Sequence, residues 1–299
     1  MKLQNLLEQL LEEDIDEAAI PVSQASEEQL ALLIDKGGKE DGYVMLYNPS
    51  IVITGFEQAS KQYGPTVPIR KVMEEALEEH RAILGYLAFG PASKNSSFYT
   101  VNLSGAERGY GPTLLYDVAL STIYPKGLTS DRHSVSKSAQ RIWSHYYENR
   151  EDVDRQLLEG AEDIKQYGKV VPTVCAGGGN LRAIVQDYSE CEKKISRFKS
   201  FLAQAKMGMN ISSEKAVEAE NIVDAGKKEL LMIAADYKEA VADNPLAYQY
   251  TISSPLSISS LIERHEKFLR WMRRYHISSE QVNGLLAFAG DSFARNKIE

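Results

Sequence analysis

Three sets of residues in this chain have the types and spacing to do chemistry. The first is a glycine turn, Arg108-Gly109-Tyr110-Gly111, closed by Pro112 and followed by Thr113. Glycine has no Cβ to obstruct a tight backbone or the close approach of a ligand. Pro112 suits the first turn of a helix, where its missing N–H costs nothing. Unpaired N–H groups and the positive end of that helix would converge there on one anion. The second set is Tyr146 and Tyr147, next to Trp143 on a helical stripe. A phenol held at the edge of a cleft can hand over a proton, although such a stripe is most often plain core. The third is Asp131-Arg132-His133. Asp131 with Arg132 makes either a functional ion pair or part of a surface loop, and His133 is a general base without a visible orienting partner.

Two further motifs read more simply. Gly177-Gly178-Gly179 before Asn180 could cradle a phosphate. A hinge between domains is the stronger reading, because no Lys-Ser/Thr follows to complete a P-loop. Cys175 and Cys191 have no base beside them and no zinc-ligand set, so they read as structural.

The elements that must position these residues are legible in outline. Phe98–Leu103 is a β-rich run, with Phe98, Thr100 and Asn102 on one face and Tyr99, Val101 and Leu103 on the other. After the glycine turn, Leu114, Leu115, Val118, Ala119 and Thr122 share one face of a helix. Leu128–Arg132 reads as the next strand. Ser136–Arg150 reads as a helix, capped by Ser134 or Ser136 and carrying Ala139, Ile142, Trp143, Tyr146 and Tyr147 as its apolar stripe.

This order resembles the core of the GNAT acyltransferase superfamily, in particular its divergent bacteriophage members. There a strand feeds a pyrophosphate-binding turn of the form Arg/Gln-x-x-Gly-x-Gly/Ala, which opens a helix. The matching stretch is Ala106-Glu107-Arg108-Gly109-Tyr110-Gly111, with both glycines in place and Ala106 at the first position. The resemblance covers about half of the chain at most. It implies that the turn, with Arg108, Gly109, Tyr110, Gly111 and Thr113, binds acetyl-CoA or another acyl-CoA. Backbone of the Val101–Leu103 strand would orient the thioester. Tyr146 or Tyr147 would protonate the departing thiolate, with Asp131 as a further catalytic candidate.

Composition sets the outer limits. The chain has 299 residues, 43% of them hydrophobic and 25% charged, which suits one large folded domain or two. The formal net charge of -8 argues against broad nonspecific DNA binding. Two cysteines are too few for a disulfide framework and point to a reducing, cytoplasmic setting, host cytoplasm or virion if the gene is a phage's. No metal is expected. The N-terminal leucines are interrupted by Gln and Glu, so residues 1–13 read as an amphipathic helix rather than a signal peptide. No run approaches the roughly 20 apolar residues of a membrane span.

Along the rest of the chain, Leu30–Ile34 reads as a second helix after a Ser26–Gln29 cap. Tyr43–Leu46 and Ser50–Phe56 read as two strands of a hairpin or meander, Ile69–His80 as a helix and Ile83–Phe89 as a strand. After Leu181 four helices are expected, at Ile184–Ala205, Glu214–Ala242, Ile258–Tyr275 and Ser279–Arg295. Arg264, His265, Lys267, Arg270, Arg273, Arg274 and His276 read as a solvated basic face, with nucleic acid the lesser alternative.

The expected fold class is α+β: a GNAT-like mixed, mostly antiparallel sheet flanked by helices, with a C-terminal helical region. The expected division is residues 1–40 helical, 41–160 acyl-CoA-binding, 161–180 linker and 181–299 helical. The expected function is acyl transfer from acyl-CoA to an amine acceptor. Two alternatives stand beside it. One is a catalytically silent GNAT-like fold serving as a virion or assembly component. The other is a binding protein acting on a host factor through its helical regions.

Overall fold

Four apolar runs pair in sequence order to make most of one sheet. The computed structural model describes residues 30–35, 41–64, 68–79, 82–91, 98–107, 110, 114–131, 135–171, 179–207 and 212–298. Strands β1 (Ala31–Asp35), β2 (Gly42–Tyr47), β3 (Ile83–Pro91) and β4 (Phe98–Ala106) are each antiparallel to the one before. β5 (Gly127–Thr129) runs parallel to β4, and β7 (Tyr248–Ile252) antiparallel to β5. With β6 (Val153–Leu157) outermost, the order is β1-β2-β3-β4-β5-β7-β6. The chain is therefore α+β, built on an open, mostly antiparallel sheet of seven strands.

By packing, the chain forms two units, each drawn from separate stretches of sequence. The first comprises Met1–Thr129, Glu151–Asp154 and Tyr250–Glu299; the second comprises Ser130–Arg150 and Arg155–Gln249. The last two helices of the expected 181–299 region thus count with the sheet.

In the first unit, one sheet face is covered by α1 (Pro49–Tyr63) and α2 (Ile69–Glu79), and by the two C-terminal helices, α7 (Ser259–Met272) and α8 (Ser279–Ile298). Ala31, Leu33, Met45, Tyr47 and Tyr86 from the strands pack there with Val52, Phe56, Met73, Phe268 and Leu286. Each such large side chain contributes about 1.5–3 kcal/mol on burial. The opposite face carries Leu32, Val44, Leu46 and Leu87, also buried. There α3 (Tyr116–Ile123) lies close, and Leu115 just before it fills the space that a side chain at Gly85 would need. Strands buried on both faces lose the apolar-polar alternation that marks a strand in sequence.

Two expectations from sequence are corrected, the first of them through that loss. Leu30–Ile34, expected as a helix, is β1, paired from Ala31↔Tyr47 to Asp35↔Tyr43. It is too short to hold an isolated helix, and the sheet satisfies its backbone instead. Ser50–Phe56, expected as a strand, lies inside α1. The Asn48 side chain accepts from the Ser50 and Ile51 amides at 3.0 and 3.3 Å, and Pro49 occupies the first turn. With the cap made, Val52, Phe56 and Ala59 form a buried helical stripe, and packing overrides the β preference of the branched residues. The strand expected to reach Arg132 ends at Thr129. Gly90 and Pro91 extend β3 rather than break it.

The second unit contains α4 (Lys137–Asn149), α5 (Gly179–Lys206) and α6 (Ser213–Ala242). α4 begins as expected, with the Ser136 hydroxyl accepting from the Ala139 amide at 3.2 Å. α5 and α6 pack along each other around Cys191, Ile195 and Val223. Gly226 permits the close approach, since a Cβ there would lie 2.7 Å from Ile195. Among the described residues, no helix is long and apolar enough to cross a membrane.

Candidate functional site

The regular pairing of β4 fails on both sides at the same place. On one side β5 matches it over three residues, ending at Thr100↔Thr129, and β5 then stops. On the other side, Leu103 pairs with Ala88 and Val101 with Phe89, so Asn102 is an extra residue opposite none. This is a β-bulge, a feature that bends a strand and is common beside active sites. It also inverts the alternation expected from sequence. Tyr99 and Val101 share a face with Phe89, while Leu103 and Gly105 turn to the opposite face with Ala88 and Tyr86. Leu103 packs into the large core, and Gly105 lies against α8, where a Cβ would come within 2.7 Å of the Ala294 backbone. Asn102 itself is exposed, and its amide shares with the Asp41 carboxylate the space above Gly90.

Beyond the bulge, β4 continues to Ala106 paired with β3 alone among the described strands. Backbone donors and acceptors on its β5 side are there free of a ladder partner, in the crevice past the carboxyl end of a parallel pair. Ligands of open sheets containing parallel strands gather at such crevices.

The crossover between the two parallel strands passes through α3. Leu114 and Leu115 make a turn of π-helix ahead of it, a wider winding frequent at functional sites. Tyr116, in the first turn, is 1% exposed, and its hydroxyl lies 2.8 Å from Ser104 Oγ on β4. Burial pushes the Tyr116 phenol up to about 12, against a smaller opposing pull from the Ser104 contact. Asp117 is buried in the same turn, so part of the helix's positive end already faces an internal carboxylate.

The residues expected to act distribute as follows. Val101 is buried and Leu103 half-buried, on either side of the bulge. Tyr110 is half-buried, its amide donating to the Glu107 carbonyl at 3.0 Å, and Glu107 pairs with Lys297 at 3.0 Å. Arg108, Gly109, Gly111, Pro112 and Thr113 lie outside the described residues, as do Arg132, His133, Cys175, Gly177 and Gly178.

Asp131, Tyr146 and Tyr147 count with the second unit. Asp131 is half-buried. Tyr146 is 1% exposed, edge-on to Trp143, with the Arg150 guanidinium 5.2 Å from its ring centre. Tyr147 donates its phenol hydrogen to the Ala242 carbonyl at 2.9 Å, and Tyr248 donates to the same oxygen at 2.7 Å. Two phenols thus close the last turn of α6, where carbonyls have no helical partner. The Arg155 guanidinium stacks 4.1 Å from the Tyr147 ring centre.

Cys191 is buried, its thiol donating to the Gly226 carbonyl at 3.4 Å. Burial pushes that thiol up, with the Glu229 carboxylate adding to the effect, so it is a poor nucleophile. Among the described residues, no three His, Cys, Asp or Glu side chains group as they would around a metal ion.

Two surface cavities lie elsewhere. One of about 570 Å³ in the first unit is lined by Arg70, His276, Gln281, Leu285 and Phe288. Arg70 is already paired with Glu74 at 2.7 Å. The other, of about 600 Å³ in the second unit, lies beside the exposed Lys238–Glu162 pair. The first includes His276 of the basic face expected from sequence, and neither includes a residue of the glycine turn, of the Tyr146–Tyr147 pair or of Asp131–His133.

Sequence reasoning missed Asn102, Ser104 and Tyr116. Asn102 had a signal, since asparagine is depleted in strands and here interrupts an apolar run. Ser104 and Tyr116 had none, because their pairing depends on how the crossover folds back. Compared with protein families, with curated proteins and with solved structures, the chain matches none of them.

Proposed function

We propose that this chain is an acyltransferase of the GNAT kind, moving an acyl group from acyl-CoA to an amine. The observation that carries the reading is the interruption of β4 at Val101–Leu103, where β5 ends and Asn102 bulges out of the ladder with β3. The pantetheine arm of CoA is an extended chain with amide groups along it. Such a chain can complete a half-paired strand through main-chain hydrogen bonds, as peptides do at sheet edges. The pyrophosphate then falls to the turn at Arg108, Gly109, Tyr110, Gly111 and Thr113, as the resemblance implies.

In the overall reaction, an unprotonated amine nitrogen attacks the thioester carbonyl carbon. A C–N bond forms and the C–S bond breaks. The sulfur leaves with the bonding pair and takes up a proton, while the nitrogen gives one up. The residues of β4 bind and orient the donor, which keeps the carbonyl in reach of the amine.

Calorimetry with acetyl-CoA tests this directly. Saturable heat is expected from the unmutated protein, and Gly111→Val should abolish it while the circular dichroism spectrum is unchanged. No heat and no thermal shift at millimolar acetyl-CoA would sink the reading. A second reading, a silent fold acting as an assembly or host-binding component, draws on Ala106 in the turn motif and on the exposed Leu231 and Met232 of α6. The same titration separates the two.

A further inference from the structure

We infer that the Ser104 hydroxyl, held by the Tyr116 phenol, is a donor aimed at the carbonyl oxygen of the bound acyl group. The inference rests on the donor-site reading above and adds to it a positioned side chain. Ser104 stands two residues beyond the bulged Asn102, on the stretch of β4 that β5 does not reach. It pairs with Leu87, so its side chain points to the face on which Leu115, beside α3, lies over Gly85. It is half-buried, whereas Tyr116 is almost wholly desolvated.

The direction of the bond between them follows from acidity. Either oxygen can donate across the 2.8 Å contact, but a phenol is far the more acidic hydroxyl and the better donor. Burial keeps that phenol protonated throughout the physiological range. With Tyr116 donating, Ser104 Oγ accepts, and its own hydrogen is directed away from the tyrosine. Accepting a hydrogen bond also polarises the serine O–H and strengthens it as a donor. Accepting from Tyr116 occupies a lone pair of Ser104 Oγ and not the hydrogen that would meet the ligand. A fixed donor beside a carbonyl that gains negative charge during acyl transfer stabilises the transition state more than the ground state.

Difference infrared spectroscopy of bound acetyl-CoA, labelled with carbon-13 at the acetyl carbonyl, tests this without knowledge of the acceptor. In the unmutated protein the carbonyl band should lie below that of free acetyl-CoA. Ser104→Ala should return it toward the free position, and Ser104→Thr, which keeps a hydroxyl, should restore the lowered band. Tyr116→Phe should give an intermediate shift, since the serine remains but is no longer oriented. Binding of CoA, which lacks the carbonyl, should change less than twofold in Ser104→Ala. A band unmoved by Ser104→Ala in a protein that still binds acetyl-CoA would overturn the inference and leave the donor site standing. Failure of the unmutated protein to bind acetyl-CoA would remove both.

Discussion

Tyr47 Oη lies 2.8 Å from His265 Nδ1, joining strand β2 to helix α7 inside the apolar core. Burial drives the Tyr47 phenol well above its ordinary range, so it stays protonated. The phenol and the imidazole share one hydrogen bond whose direction follows the ring tautomer, and the His265 imidazole is itself buried. Desolvation holds its pKa below the ordinary value, against the opposing pull of Glu266 and Asn283. The unfolded chain takes up a proton on this residue near pH ~6.5, and the folded chain only at lower pH. Between those two values the unfolded state binds more protons, so stability falls as pH falls. The contribution is complete above roughly pH 6.5 and is lost progressively on acidification. Urea titrations from about pH 7.5 to about pH 5 should show a steeper loss in the unmutated protein than in His265→Gln. Parallel curves would contradict the assignment.

The cap at Asn48 makes a second prediction. Its side chain satisfies two amides that open α1. Asn48→Ala should cost about 1 kcal/mol, and Asn48→Asp or Asn48→Ser should recover most of it. The urea midpoint is the measurement, and an unchanged midpoint in the alanine variant would mean that packing alone holds the helix start.

The same residue marks the boundary of what could be read from sequence. Asn48-Pro49 is a helix-start signal, yet the β-branched residues Ile51, Val52, Ile53 and Thr54 that follow it speak for a strand. What decides is the buried face of Val52, Phe56 and Ala59, a tertiary fact. Helices with caps or long stripes, such as α4 and α8, were legible because local signals and packing agree there. β1 was not, since burial on both faces erased its alternation. β7 was hidden because a five-residue strand after a long helix has too few positions to set a period. At the candidate site, the strand and the following helix were visible. The bulge was not, because alternation read straight through Asn102 assigns Val101 and Leu103 to one face, and the register assigns them to two.

Two glycines on α8 should respond in opposite directions. A Cβ at Gly284 would meet nothing within 4 Å, whereas one at Gly290 would lie 2.5 Å from Tyr86 Cδ2 and 2.8 Å from Met45 Sδ. Gly284→Ala should stabilise the protein by about 0.5–1 kcal/mol through helix propensity and reduced unfolded-state freedom. Gly290→Ala should destabilise it by about 1–3 kcal/mol through overpacking against the sheet. Both are read as shifts in chemical denaturation midpoint, and shifts of the same sign would mean that α8 does not sit on β3 as described.

Deleting Asn102 tests whether the bulge serves a ligand or only the fold. With Asn102 present, Val101 and Leu103 already occupy adjacent register positions opposite Phe89 and Ala88. Removing it therefore returns β4 to simple alternation and leaves its neighbours on their present faces, so the core contacts of Tyr99, Val101 and Leu103 survive. The deletion variant should unfold cooperatively, with stability within about 1–2 kcal/mol of the parent, because an exposed residue outside the ladder makes few contacts of its own. What changes is the bend of the strand, and with it the direction of the free backbone groups beyond Thr100. Acetyl-CoA binding should then fall by at least tenfold, while Asn102→Ala, which keeps the extra residue, should bind nearly as well as the parent. Equal affinity in the deletion variant would show that the bulge shapes the sheet without serving the donor.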